Sequence, residues 1–296
     1  MTRRSPLLTG LAFTAPWLVG SAIFLFLPMA MSLWYSFTDY PILKEPVYIG
    51  LDNYAELAGD ARLHAVAINT ALFAVVAIPL STVLSLALAA MVSTRSMRLA
   101  GFYKAAIFIP TLVPIMASAM IWLWLFNGQF GLINRALGAL GLPEKFWPNW
   151  LASDNLALPV MVICSLWSVG QQVVIYAAAM QEVPRELYEA GGLDGMGPLR
   201  RFWHVTLPMI SPVMLFNVVT LLIGTLQVFA LPYVLFRDER GQRPAGDFYT
   251  LMLYDNAFVY QRMGYASAMA WVQMAVILVL TGVLFWASKR LVHERS

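Results

Sequence analysis

Very few residues in this sequence could carry covalent or metal chemistry. Histidine occurs only at positions 64, 204 and 293, and the single cysteine, Cys164, lies inside an apolar run. Histidines so scattered build neither an HExxH motif nor a clustered zinc site. Cys164 has no histidine in its own segment to activate it, cannot form an internal disulfide, and is expected to be a small packing residue. None of the lysines follows a glycine, so the phosphate-cradling GxxxxGK loop is absent. No GxSxG nucleophile elbow is present either. The residues therefore predict no catalytic group, no metal site and no cofactor on this chain.

The stretch that stands out is Tyr188 to Pro208, YEAGGLDGMGPLRRFWHVTLP. Arg185, Glu186, Tyr188, Glu189 and Ala190 predict a short helical piece. Gly191, Gly192, Gly195, Gly197 and Pro198 are expected to break it, since glycine weakens a helix interior and proline lacks the N–H that a continuing helix needs. A second piece, Leu199 to Val205, interleaves Arg200, Arg201 and His204 with Leu199, Phe202, Trp203 and Val205. Two short helices joined by a glycine elbow make a knob suited to a pocket in another protein. An amphipathic loop lying on lipid headgroups is the other reading of the same residues.

The elements around this stretch are apolar. The 296 residues are 60% hydrophobic and 12% charged, with a mean hydropathy of +0.69, against a usual charged share of about 25%. So few charges cannot cover a soluble globule, and the composition predicts an all-α integral membrane protein. Six segments, about 11–36, 69–92, 105–126, 156–180, 211–236 and 267–288, are each long enough to cross a membrane and contain no Asp, Glu, Lys, Arg or His; a crossing takes roughly 20 helical residues. The first segment is too long for a signal peptide and is read as an uncleaved span. One transmembrane domain, 1–296, is expected, with a loop over 181–210 between the fourth and fifth spans.

Putting both termini inside assigns eleven bases and five acids to the inner segments and eight bases and eleven acids to the outer loops. That asymmetry follows the positive-inside rule and places the 181–210 loop in the cytoplasm. The pI near 9.0 then reflects orientation, and no basic patch with stacking aromatics calls for nucleic acid. Prolines at 79, 110, 114, 159 and 232 fall within or beside spans and predict a packed, slightly kinked bundle.

Charge-free spans argue against a proton- or sodium-coupled carrier, which usually needs a buried ionisable group. Neutral polar residues remain. Ser165, Ser168, Gln172 and Tyr176 recur at helical spacing, as do Asn217, Thr220, Gly224 and Gln227. Such stripes either join helices or line a path for a neutral, hydroxyl-rich solute. Phe229 and Tyr233 offer ring faces for stacking on sugars or for packing.

The order Glu189-Ala190-Gly191, Asp194-Gly195, Val205 and Leu207-Pro208 resembles the EAA loop of ABC-importer permeases. Gly191 stands where that loop has its second alanine, and Val205 where it has isoleucine. Gln181 to Glu189 resembles the family's approach to the loop. Ser36-Phe37-Thr38-Asp39-Tyr40, Gly50-Leu51-Asp52-Asn53-Tyr54, Asn69-Thr70, Phe102-Tyr103-Lys104, Ile109-Pro110 and Phe130-Gly131-Leu132-Ile133-Asn134 extend the resemblance, specifically to binding-protein-dependent carbohydrate permeases of the MalF/UgpA type. The chain departs from that pattern at Phe236-Arg237-Asp238-Glu239-Arg240-Gly241, where the family often has threonine and Gly-Gly-Pro.

The resemblance implies a type I ABC-importer permease fold and one permease subunit of an importer for a sugar or glycerol 3-phosphate, in the inner membrane of a prokaryote. It implies a second, homologous permease, two copies of a cytoplasmic ATPase that carry the ATP and Mg, and an extracytoplasmic solute-binding protein. Tyr188, Glu189, Ala190, Asp194, Gly195, Leu199, Phe202, Leu207 and Pro208 are expected at the ATPase. Glu189 would make a charged contact there, Gly195 would allow close backbone approach, and Leu199 and Phe202 would be apolar anchors. Gln172, Tyr176, Asn217, Gln227, Phe229 and Tyr233 are expected along the substrate path. A self-contained secondary carrier for a neutral polar solute is the alternative.

Overall fold

The computed structural model describes residues 6–93, 100–236 and 246–288. Outside them lie Arg3, Arg4, Arg95, Arg98, Lys289, Arg290 and Arg295, which carry much of the charge asymmetry, and the 237–241 departure from the permease pattern.

The chain divides into two units. The first takes residues up to Ala61 together with Leu253–Ala275. It begins with α1 (Pro6–Ser21), which passes through a π turn at Ala22–Phe26 into α2 (Leu27–Tyr35). None of the most apolar window of this helix is buried, and Phe13 and Phe24 are more than 80% exposed. A helix apolar on every face needs lipid or a partner around it.

After α2 a two-stranded hairpin, β1 (Thr38–Asp39) and β2 (Val47–Tyr48), leads to α3 (Asp52–Gly59). Here the Gly50-Leu51-Asp52-Asn53-Tyr54 motif acquires a physical reason. Gly50 turns the chain at φ +66, a left-handed conformation that favours glycine. The Asn53 amide, buried, then donates to the carbonyls of Ser36 and Thr38 at 3.0 and 2.9 Å, and the Tyr54 hydroxyl donates to Ser36 Oγ. The later part of the unit closes on the same loop. Met263 N–H donates to the Tyr40 carbonyl, Tyr265 donates to Asp60 at 2.7 Å, and Arg262 pairs with Glu56. That last hydrogen bond holds the Arg262 guanidinium above its already high ordinary pKa. At Gly264 an added Cβ would overlap the Thr38 carbonyl, so only glycine permits this approach.

The second unit takes Arg62–Met252 and the chain from Val276 onward. Its long helix α4 (Ala61–Ser93) carries Pro79 inside it. Next come α5 (Ala100–Phe108), a 3-10 turn at Ile109–Leu112, and α6 (Ile115–Leu125). Gly101–Leu112 and Ile115–Leu125 meet at 92°, far more than the slight kink expected from the prolines. Pro114 has no N–H to continue the ladder and forces Val113 into extended backbone, φ −74 and ψ 126.

A loop with α7 (Leu132–Ala139) leads to α8 (Asp154–Leu166) and α9 (Gly170–Gln181), which meet at 49°. Gly170 sits against the Ile107 carbonyl, where a Cβ would overlap, so α9 and the α5 end touch through backbone. The chain continues through α10 (Arg185–Leu193), α11 (Pro198–Arg201), a π turn at Phe202–Thr206, α12 (Leu207–Leu226) and α13 (Ala230–Phe236). The short α14 (Tyr249–Tyr254) precedes α15 (Met263–Ser288). Among the described residues four helical stretches are long and apolar enough to cross a membrane, and counting each bent pair as one span brings the total to six.

Two apolar clusters organise this unit. One joins Phe73, Phe126, Val160, Met161, Cys164 and Phe248, so the cysteine is a packing residue. The other gathers Val173, Tyr176, Met180 and Ile210 against Tyr188, Phe202 and Val205. Between Arg62 at the head of α4 and the buried Asp247 runs an ion pair of 2.7 Å, and Thr70 Oγ1 accepts the Tyr249 N–H nearby.

Candidate functional site

Residues 185–208 fold as a hairpin of unequal arms. Pro184 supplies the extended residue before α10, and Glu186 places a negative charge in its first turn, where the helix dipole favours it. The helix does not break at Gly191 and Gly192, as the sequence led one to expect, but runs on to Leu193. Each glycine costs about 1 kcal/mol in a helix interior, and packing offsets this at Gly191. That residue is buried, with room for a Cβ only 3.4 Å from the Arg201 side chain and Met196 Sδ.

The break falls where the backbone must turn left-handed. Gly195 has φ +71, its N–H donates to the Gly192 carbonyl, and Met196 N–H donates to the Gly191 carbonyl at 2.8 Å. This pair of bonds is a Schellman cap, and it asks for glycine at the left-handed residue. No atom lies within 4 Å of a Cβ added at Gly195, so within this chain the glycine serves the turn and not a close contact.

The second arm differs more from expectation. Pro198 does not end a helix but starts one, at the first-turn position where its missing N–H costs nothing. The piece over 199–205 is not a separate helix, because the chain continues through the π turn into α12, giving one rod from Pro198 to Leu226. The π turn sits directly before Leu207-Pro208, with Leu207 N–H donating to the Phe202 carbonyl. Pro208 cannot donate to the carbonyl four residues back, and the wider turn accommodates that lost bond. The same arrangement, a π turn at Ala22–Phe26 followed by Leu27-Pro28, occurs in the first helix.

Two side-chain contacts tie the arms. The Tyr188 and Thr206 hydroxyls are 2.9 Å apart, and Arg201 Nε donates to the Met196 carbonyl at 2.8 Å. Tyr188, Phe202, Leu207 and Pro208 are consequently half-buried, whereas Glu189, Ala190, Asp194, Gly195 and Leu199 are exposed. Phe202 packs into the Val173–Ile210 cluster and does not stand free as an anchor. The most exposed apolar side chains of the hairpin are Leu193, 92% exposed, Leu199 and Trp203. The sequence reading did not single out Leu193, and it named Trp203 in the second piece without counting it among the ATPase contacts; the available signal was a leucine beside the turn glycines and a tryptophan four residues after Leu199. Beside the hairpin lies a cleft of about 1270 Å³ bounded by the ends of α4, α5 and α9.

The polar stripe expected along the fourth span is split in two. The bend between α8 and α9 separates Ser165 and Ser168 from Gln172 and Tyr176. Gln172 Oε1 and Tyr176 Oη, one helical turn apart on α9, are both buried with no hydrogen-bond partner among the described residues. Asn217 is buried and donates to its own helix at the Val213 carbonyl. Gln227 is exposed at the end of α12, and the Phe229 and Tyr233 rings lie 5.1 Å apart after the break. Among the described residues no group of three His, Cys, Asp or Glu could hold a metal ion.

Comparison with known proteins places this geometry. Residues 81–295 match the model of the family described as "Binding-protein-dependent transport system inner membrane component". The chain is 32% identical over 291 residues to the probable ABC transporter permease protein YesP of Bacillus subtilis (strain 168), covering 98% of this chain and 93% of that protein. It is 30% identical over 286 residues to the lactose transport system permease protein LacF of Rhizobium radiobacter, covering 95% and 94%. The crystal structure of a bacterial ABC transporter involved in the import of alginate shares the fold, with a TM-score of 0.86 and 22% identity over 98% of both chains. The chain belongs to the family of binding-protein-dependent inner membrane permeases. It is a transmembrane permease subunit of an ABC importer and not itself an enzyme.

Proposed function

We propose that this permease is one of two homologous transmembrane subunits of a carbohydrate importer, taking a sugar, an oligosaccharide or glycerol 3-phosphate across the inner membrane of a prokaryote. The named substrates of relatives, lactose for LacF among them, support the sugar class. Both termini and the 185–208 hairpin face the cytoplasm, an orientation supported by the excess of basic residues in the segments on that side. Two copies of a separate ATPase carry ATP and Mg, and a solute-binding protein delivers substrate from outside.

One observation carries the coupling role. The exposed arm of the hairpin is continuous through the π turn with α12, which runs unbroken to Leu226 within a stretch, Pro198–Phe236, that is long and apolar enough to cross the membrane. Force applied at Leu199 and Trp203 therefore travels along one rod without a flexible joint. Glu189, Ala190, Asp194, Gly195 and Leu199 meet the ATPase, Glu189 through a charge-assisted contact. Tyr188, Phe202, Leu207 and Pro208 brace the hairpin from behind. Gln172, Tyr176, Asn217, Gln227, Phe229 and Tyr233 belong to the substrate path. The unpartnered polar atoms of Gln172 and Tyr176 support this most directly, because buried polar atoms without partners are costly unless a ligand or partner supplies one.

The test is affinity purification of the tagged chain in mild detergent, wild type beside Gly195→Arg, with identification of co-purified chains and an ATPase assay. A second permease and a P-loop ATPase with the wild type, and loss of the ATPase from the variant, are expected. A wild type that purifies alone and still transports would overturn the reading.

A further inference from the structure

The cleft beside the hairpin has a composition that docking on an ATPase does not require. Three cations line it from three separate elements: Lys104 on α5, Arg185 at the start of α10 and Arg201 on α11. Glu189 is the one acid among the lining residues. Lys104 and Arg185 have no hydrogen-bond or ion-pair partner among the described residues. Among the described residues Arg201 uses only Nε, on the Met196 carbonyl, which fixes its planar fork and leaves its other donors unused there. Cations gathered around one space repel each other unless an anion joins them. Apolar side chains, among them Ala87, Ala90 and Val92 of α4, Met180 of α9 and Phe202, make much of the rest of the wall, with Ser93, Gln181, Tyr188 and Thr206 between them.

A small, freely solvated anion has no use for such walls or for about 1270 Å³ of space. An amphiphile uses both. Basic pockets between membrane helices on the cytoplasmic side suit phosphate headgroups, and guanidinium and ammonium groups suit phosphate oxygens. We propose that this cleft binds the phosphate headgroup of an anionic phospholipid of the cytoplasmic leaflet, with its acyl chain lying toward Ala87, Ala90 and Val92. The inference rests on the orientation argued above, in which the hairpin faces the cytoplasm. Bound there, the lipid links the hairpin to the ends of α4 and α5, so that the coupling element answers to membrane composition.

The experiment uses the tagged chain with its co-purifying partners, exposed to mixed micelles of phosphatidylcholine and phosphatidylglycerol and then washed. Retained lipid and retained ATPase are both quantified. The double variant Lys104→Gln, Arg185→Gln is expected to keep roughly 30-fold less phosphatidylglycerol than wild type, with phosphatidylcholine and ATPase retention unchanged. The charge-conserving pair Lys104→Arg, Arg185→Lys should retain the lipid, which separates a lost site from a lost fold. Equal retention by the neutral variant and wild type overturns the proposal. So does displacement of phosphatidylglycerol by equimolar inorganic phosphate, which marks a free-anion site. Loss of the ATPase from the neutral variant with lipid still bound also overturns it, because those cations would then face the ATPase. A wild type that binds phosphatidylglycerol through these cations but brings no ATPase leaves the lipid site standing and removes the coupling reading alone.

Discussion

The Tyr188 hydroxyl lies 2.9 Å from the Thr206 hydroxyl, joining α10 to the π turn that leads into α12. The two arms of the hairpin thus move together, and a push on either reaches the long helix. Tyr188→Phe deletes this bond while keeping the ring in its apolar contacts, and leaves the buried Thr206 hydroxyl short of a partner. A cost of about 1 kcal/mol is expected, read as a small drop in melting temperature of the purified chain. Substrate uptake per ATP hydrolysed should fall, with ATPase retention unchanged.

The glycines of the hairpin should separate by conformation. Gly195→Ala meets no atom, so its whole cost is the left-handed backbone at φ +71, about 1–2 kcal/mol. Gly195→Asn should cost less, because asparagine tolerates that conformation. Gly192 is helical with open space around it, so Gly192→Ala should stabilise the chain, by up to about 1 kcal/mol. Melting temperatures in the order Gly192→Ala, wild type, Gly195→Asn, Gly195→Ala check the account, and a Gly192→Ala below wild type would refute it.

These positions also mark how far the sequence alone could be read. Charge-free apolar segments reveal spans, because a charge in lipid is costly wherever it sits. The order of Glu189, Gly195 and Leu207-Pro208 reveals the hairpin. What periodicity does not reveal is phase. The π turn at 202–206 adds a residue to one helical turn, and side chains after it rotate relative to any count made on an ideal helix. Leu199 and Trp203, four residues apart, share the exposed face as on an ordinary helix, while Phe202 and Thr206 turn inward. The break between α8 and α9 likewise splits a stripe that looks continuous on paper. The 92° bend at Pro114 shows the same limit, since proline announces that a helix is interrupted and only packing sets the angle.

The Arg62–Asp247 pair should matter for the fold of the second unit. Arg62 reaches one carboxylate oxygen with both Nε and Nη2, at 3.2 and 2.7 Å, and Asp247 is buried. Arg62→Ala removes its charged partner from a buried carboxylate, and about 1–3 kcal/mol is expected, tempered by the partial exposure of the arginine. Asp247→Asn keeps an acceptor for the guanidinium and should cost less. Thermal unfolding of the two variants side by side checks the order, and equal melting temperatures would show that the pair contributes little.

The sharpest separation lies between side chains that brace the hairpin and those that face away from it. Leu193 is 92% exposed, so Leu193→Ser removes almost no contact within this chain, and Trp203, 60% exposed, gives up mainly its edge contact with the Phe202 ring on Trp203→Ala. Phe202 packs into the cluster around Val173, Tyr176 and Ile210, so Phe202→Ala should destabilise the fold, by about 3 kcal/mol or more. At an interface the first two would behave as buried anchors, each costing about 2 kcal/mol or more in affinity, roughly 30-fold. Leu193→Ser and Trp203→Ala should therefore keep the wild-type melting temperature while ATPase retention and coupled uptake collapse. Phe202→Ala should lower both together. If the two exposed variants retain the ATPase and transport normally, these side chains face lipid, and the contact with the ATPase lies instead around Glu189 and Asp194 on the polar side of the hairpin.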